Sequence, residues 1–153
     1  MGNNRYALKG CSIGKKSNLD LPHETTTFSL LMRRNPQLRA HLTALQPADR
    51  AVICPITRGE VLYGLERLPQ GRRRSSLEAE AAHWFAQFPC LPVPETAGDH
   101  YARIKREAEV NGTPLDENDL WLAAMATAFA AVLVTSDTDF QKVTGLGAED
   151  WSQ

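Results

Sequence analysis

At 153 residues, 42% of them hydrophobic and 23% charged, the chain has the size and composition of one globular domain, and no apolar run in it is long enough to span a membrane. A formal net charge of −1 excludes capture of nucleic acid by overall charge, so any such binding needs local basic patches. Cys11, Cys54 and Cys90 form no C-x-x-C pair, the histidines show no metal-ligand spacing, and no signal-peptide pattern opens the chain; this argues against a disulfide framework or a zinc site and sets a reducing cytoplasm as the expectation.

In chain order, residues 1–23 form an atypical N-terminal segment and residues 24–153 the expected domain. Tyr6-Ala-Leu8 or Cys11-Ser-Ile13 can supply a short strand, whereas 14–23 is polar and holds Pro22, which suits a buried strand poorly. Leu30, Leu31, Leu38, Leu42 and Leu45 predict helix from Phe28 to about Leu45, restarted around Asn35-Pro36. The β-branched run 51–56 predicts a strand, followed by a helix from Arg58 to Arg67. A further helix is expected over Arg72–Phe88, then a short extended edge piece at Leu91–Pro94. Helices over 96–110 and 116–130 flank the turn Asn111-Gly112-Thr113-Pro114. Ala131–Ser136 predicts a buried strand, Asp137–Val143 a short helix or turn, and the tail 145–151 a last edge strand. Short apolar strands alternating with helices give an α/β domain with a mainly parallel sheet, whose ligands bind beyond the carboxyl ends of the strands.

Acidic residues fall at those ends. Glu60 follows the run 51–57, Asp116 and Asp119 open the apolar stretch 120–126, and Asp137 follows 131–136. Carboxylates gathered from separate strand–helix units hold hard cations such as Mg²⁺ or Mn²⁺. Each position taken alone also has a structural explanation. Thr57-x-x-Glu60 is a capping-box pattern, and Asp116, Asp119 and Asp137 suit caps, first turns or tight turns.

The segments Thr27–Pro36, Ile56–Gly64, Gly112–Ala124 and Leu133–Phe140 together resemble the PIN-domain ribonucleases, specifically VapC-type toxins of toxin–antitoxin pairs, over residues 24–151. The resemblance implies a three-layer α/β/α fold and a metal-dependent endoribonuclease that a small antitoxin neutralises. It assigns Glu60, Asp119 and Asp137 as catalytic acids and metal ligands for Mg²⁺ or Mn²⁺. It makes Thr135 or Ser136 the hydroxyl beside the last acid, with Asp116 and Asp139 as auxiliary acids. Such a domain opens with an apolar strand ending in Asp, and here Glu24-Thr25-Thr26 stands where Asp-Thr-Asn is expected. Glu24 therefore becomes the N-terminal metal ligand, with Asp20 as its alternative. The extra methylene of Glu moves the carboxylate by about 1.5 Å, a large change for Mg²⁺ geometry.

That departure leaves a second reading open, a catalytically impaired PIN fold that keeps only antitoxin binding or dimerisation. A third is an unrelated α/β module whose acids merely cap helices. Arg33 and Arg34 are the candidates for RNA phosphates, whereas Arg72–Arg74 reads as a solvated helix start. Apolar residues on the early helices (Leu30, Leu31, Val61, Leu62, Tyr63, Leu65) imply, with the resemblance, a homodimer and an antitoxin groove.

Overall fold

The computed structural model describes residues 27–153 and, as strand backbone, residues 6–9. Four strands, β1 (Tyr6–Lys9), β2 (Arg50–Val52), β3 (Val132–Val134) and β4 (Gly147–Glu149), form a parallel sheet in the order β2-β1-β3-β4. Its register sets Leu8 between Val52 and Leu133. The central strand is thus the Tyr6–Leu8 candidate, extended to Lys9. The Cys11–Ile13 alternative, the polar stretch 14–23, Asp20 and Glu24 lie outside the described residues.

The helices are α1 (Thr27–Met32), α2 (Pro36–Thr43), α3 (Pro55–Glu66), α4 (Arg72–Gln87), α5 (Glu95–Val110) and α6 (Glu117–Ala128), and a short 3-10 helix spans Thr138–Lys142. The break expected at Asn35-Pro36 is real: the Asn35 side chain accepts from the Leu38 N–H at 2.8 Å and Pro36 opens α2. Two expectations need correction. The helix expected from Arg58 starts earlier, at Pro55, because proline's fixed φ suits a first helical position whose N–H would be orphaned anyway. Leu91–Pro94 forms no strand; Cys90 alone bridges to Ile53, and the prolines Pro92 and Pro94 remove the donors that would extend the ladder.

Adjacent strand residues serve opposite faces. Val52 and Leu133 pack with Ile104 of α5 and Leu120, Leu122 and Met125 of α6. Ile53 and Val134 pack with Phe28, Leu31, Leu38, Val61, Leu65 and Ala81 of α1 to α4. This two-residue alternation produces the expected three-layer α/β/α architecture. Leu31, Val61 and Leu65 are spent on this core, and of the apolar residues expected at a subunit surface Leu62 (41% exposed) and Tyr63 (62%) remain most open.

Three helix ends reverse through the same pair of hydrogen bonds. After α5, Thr113 N–H bonds Ala108 O and Gly112 N–H bonds Glu109 O; after α1 the pairs are Asn35–Leu30 and Arg34–Leu31; after α6 they are Ala131–Ala126 and Ala130–Thr127. This closure needs a left-handed residue: Gly112 (φ 66°), Arg34 (φ 61°) and Ala130 (φ 49°) fill it. Glycine takes that conformation without a Cβ penalty. Ala130 is exposed, so Ala130→Gly sacrifices no packing. It should stabilise the protein by about 0.5–1 kcal/mol, raising the melting temperature by about 1–4 °C in a chain of this size; a calorimetric scan showing a lower temperature refutes it.

Candidate active site

The tight reversal from α6 into β3 makes the two antiparallel, so the first turn of α6 lies at the carboxyl edge of the sheet. At that edge α3 leaves β2, and the 3-10 helix leaves β3. The four acids singled out from the sequence therefore come from three units that meet one edge.

Glu60 stands in the second turn of α3 and is half-buried. The capping-box explanation for it fails. Cys54, not Thr57, is the N-cap residue, and Thr57 is fully buried with its Oγ1 3.6 Å from Cys54 Sγ. Asp119 lies in the first turn of α6 and is only 6% exposed. Asp116 occupies the N-cap position, but its side chain makes no capping hydrogen bond and is exposed. Between the two main acids stands a residue the sequence did not single out: Asn118 Nδ2 donates to Glu60 Oε1 at 2.8 Å. That bond joins the start of α6 to α3, so Glu60 meets the turn that carries Asp119.

Asp137 caps the 3-10 helix, its Oδ1 accepting from the Asp139 N–H at 2.8 Å. The buried Thr135 hydroxyl accepts from the Asp137 N–H at 3.1 Å, so this hydroxyl shapes the turn that presents Asp137. Ser136 is exposed. Asp139 is directed elsewhere, bonded to Lys142 Nζ at 2.6 Å beside Ile104 and Glu107 of α5. Thr27, another residue not singled out, donates from Oγ1 to Val134 O at 2.8 Å while 5% exposed, pinning the start of α1 to the end of β3. Glu24 and Asp20, the proposed N-terminal ligands, are outside the described residues.

The basic candidates divide. Arg33 and Arg34 lie past the far end of α1 from Thr27, a separation of about 9 Å along that helix. Arg34 pairs with Glu80 of α4 at 3.1 Å. Arg33 lines a cleft of about 240 Å³ with Ser29, Met32, Arg73, Ser76 and Leu77. Arg74 departs from the solvated helix start expected of Arg72–Arg74. It is 9% exposed, paired with Glu66 and Glu78, and donates to the carbonyls of Glu66 and Leu68; it closes the α3–α4 turn.

A polar clamp fixes the start of α6 from its other side. Lys105 Nζ of α5 donates to Glu117 Oε1 at 2.5 Å and to Tyr101 Oη at 3.0 Å, and the Tyr101 hydroxyl also donates to Glu117. The Tyr101 ring stacks on Trp121 at 4.5 Å. Hydrogen bonds from Lys105 and then Tyr101 hold the Glu117 carboxyl below the usual carboxylate range, and the bond to Glu117 pushes the Lys105 ammonium up.

Among the described residues no three His, Cys, Asp or Glu side chains lie together closely enough to hold an ion. Mg²⁺ commonly binds one or two carboxylates and completes its shell with water. The all-oxygen donors at Glu60 and Asp119, on helices joined by the bond from Asn118 to Glu60, suit that chemistry.

Comparison with known proteins bears on the fold and the family. A family model described as PIN domain matches residues 24–146. Ribonuclease VapC1 of Haemophilus influenzae (strain R2866) is 30% identical over 135 residues, covering 85% of this chain and 96% of that protein. The solved structure of VapBC-1 from nontypeable Haemophilus influenzae matches with a TM-score of 0.72 at 28% identity, over 82% of this chain and 92% of that one. VapBC-5 of Mycobacterium tuberculosis, a member of the VapBC family of toxin-antitoxin systems, matches with a TM-score of 0.59 at 27% identity, over 71% and 85%.

Proposed function

The chain belongs to the PIN-domain family, among its VapC ribonucleases, and from that membership we propose that it is a Mg²⁺- or Mn²⁺-dependent endoribonuclease, the toxin of a pair whose small antitoxin neutralises it. The observation that carries the metal reading is the meeting of Glu60 with the first turn of α6, through the 2.8 Å bond from Asn118. Support for the antitoxin comes from the toxin–antitoxin system to which a similar structure belongs.

Glu60 and Asp119 would supply the first carboxylates for the ion; Asp137, which forms no three-carboxylate group with them among the described residues, would approach it from the end of β3, and Glu24 or Asp20 would be the N-terminal ligand. A bound divalent ion supplies charge neutralisation at the phosphodiester and a water acidified towards neutral pH. The protein's part is orientation. Thr135 and the Asp139 N–H set the rotation of Asp137, while burial of Asp119 keeps competing water from that carboxylate. Asp116, exposed beside them, stands as an auxiliary acid, and Arg33 as a phosphate contact. The proposal sets the protein in the cytoplasm, in keeping with the free thiols Cys54 and Cys90 and with the absence, among the described residues, of a helix long and apolar enough to cross a membrane. Exposed Leu62 and Tyr63 favour a homodimer.

Removal of metal tests this directly. Purified protein should cleave structured RNA with Mn²⁺, stop in EDTA, and recover when Mn²⁺ is restored in excess; cleavage that continues unchanged in EDTA excludes the mechanism. A second reading, an impaired fold that binds its antitoxin without cleaving, is favoured by one feature of the sheet. The central strand ends at Lys9, where the resemblance leads one to expect an aspartate. Antitoxin binding without Mn²⁺-dependent cleavage by well-folded protein would select it.

A further inference from the structure

Three consecutive residues open α6, and each serves a different neighbour. Glu117 is clamped by Tyr101 and Lys105 of α5, Asn118 bonds Glu60 of α3, and Asp119 turns into the protein at 6% exposure. Successive helical residues point about 100° apart, so one turn can address both flanking helices and the site at once. The Glu60 carboxylate can only accept a hydrogen bond, which fixes the Asn118 amide with its NH₂ towards Glu60.

We propose that Asn118 is a positioning residue for the metal site: its amide holds the Glu60 carboxylate in the rotamer that can share an ion with Asp119. This inference rests on the metal reading given above. Glu60 carries a long side chain from the second turn of α3, and the three torsions beyond its Cα must be fixed before it can serve as a ligand. The bond from Asn118 fixes the last of them. It also makes the Glu60–Asp119 separation depend on the neighbouring residue of α6 rather than on a distant element. The clamp on Glu117 restrains that same turn from the opposite side, so a shift of α6 is resisted on both flanks. Hydrogen-bond partners behind a metal's ligands typically govern affinity by about 10–100-fold.

The test measures Mn²⁺ affinity by titration calorimetry, with circular dichroism reporting the fold. Asn118→Leu keeps the volume without the donor, Asn118→Ala removes the side chain, and Asn118→Gln keeps an amide. The Leu and Ala variants should bind Mn²⁺ about tenfold or more weakly at unchanged dichroism, and Gln should recover part of the loss. In the double variant Glu60→Gln with Asn118→Ala, the second change should add nothing, because Asn118 acts through Glu60. Affinity within twofold of the parent in both the Leu and Ala variants, or losses that add in full, overturns the role of Asn118 while Glu60→Gln still weakens binding. A parent that binds no Mn²⁺, or binding indifferent to both Glu60→Gln and Asp119→Asn, overturns the metal reading and this inference together.

Discussion

Asp119→Asn is expected to lower Mn²⁺-dependent RNA cleavage by on the order of a thousandfold, about 4 kcal/mol of transition-state stabilisation. Among the described residues Asp119 is the least exposed of the candidate acids, and it lies beside the residue that binds Glu60. The substitution keeps the size of the side chain and removes its charge, so a ligand is lost while packing is retained. The fold should scarcely notice. Because the amide matches the carboxylate in size, the packing around this position is kept, and the melting temperature should change little. Single-turnover cleavage beside a thermal scan separates the two effects. Activity within threefold of the parent would remove Asp119 from the site.

Phe140→Ala carries the largest expected loss of stability, about 3–5 kcal/mol for a fully buried aromatic cut to a methyl group. Phe140 is 0% exposed within the 3-10 helix that follows Asp137, and it packs in the cluster that joins β3 to α5 and α6. The midpoint of chemical denaturation should fall accordingly, and thermal unfolding should come about 6–20 °C earlier at about 2–4 °C per kcal/mol. Because Phe140 anchors the turn that presents Asp137, Mn²⁺ affinity should fall as well, even at temperatures where the variant remains folded. A loss under about 1 kcal/mol would mean that the turn repacks freely.

The two expectations differ in what the sequence disclosed. Asp119 was legible because the run that follows it is apolar and helical, which placed the acid at the start of an element. Glu60 was legible as an acid but ambiguous as a cap, since Thr57-x-x-Glu60 satisfies the capping pattern. Only the start of α3 at Pro55 settles that ambiguity. Arg34 and Arg74 show the converse. Both belong to basic clusters in the sequence, and both are engaged by glutamates: Arg34 by Glu80 of α4, and Arg74 by Glu66 at the end of α3 and by Glu78 one turn along its own helix. The partner of Arg34 lies 46 residues away and leaves no local trace, whereas the Arg74–Glu78 pair has the i,i+4 spacing of a helix.

The sequence alone determined the alternation of strands and helices, the break at Asn35-Pro36, and the placing of Glu60, Asp119 and Asp137 beside element ends. Those features are local: hydrophobic period, proline's missing donor and turn chemistry act over a few residues. The tertiary structure decided which short run fills the centre of the sheet, since Tyr6–Lys9 earns its place only through backbone pairing with both β2 and β3. It also decided that Thr27 fastens α1 to β3 and that Asn118 reaches Glu60. Those bonds join segments distant along the chain, and it is the packing of helices on the two faces of the sheet that brings them together.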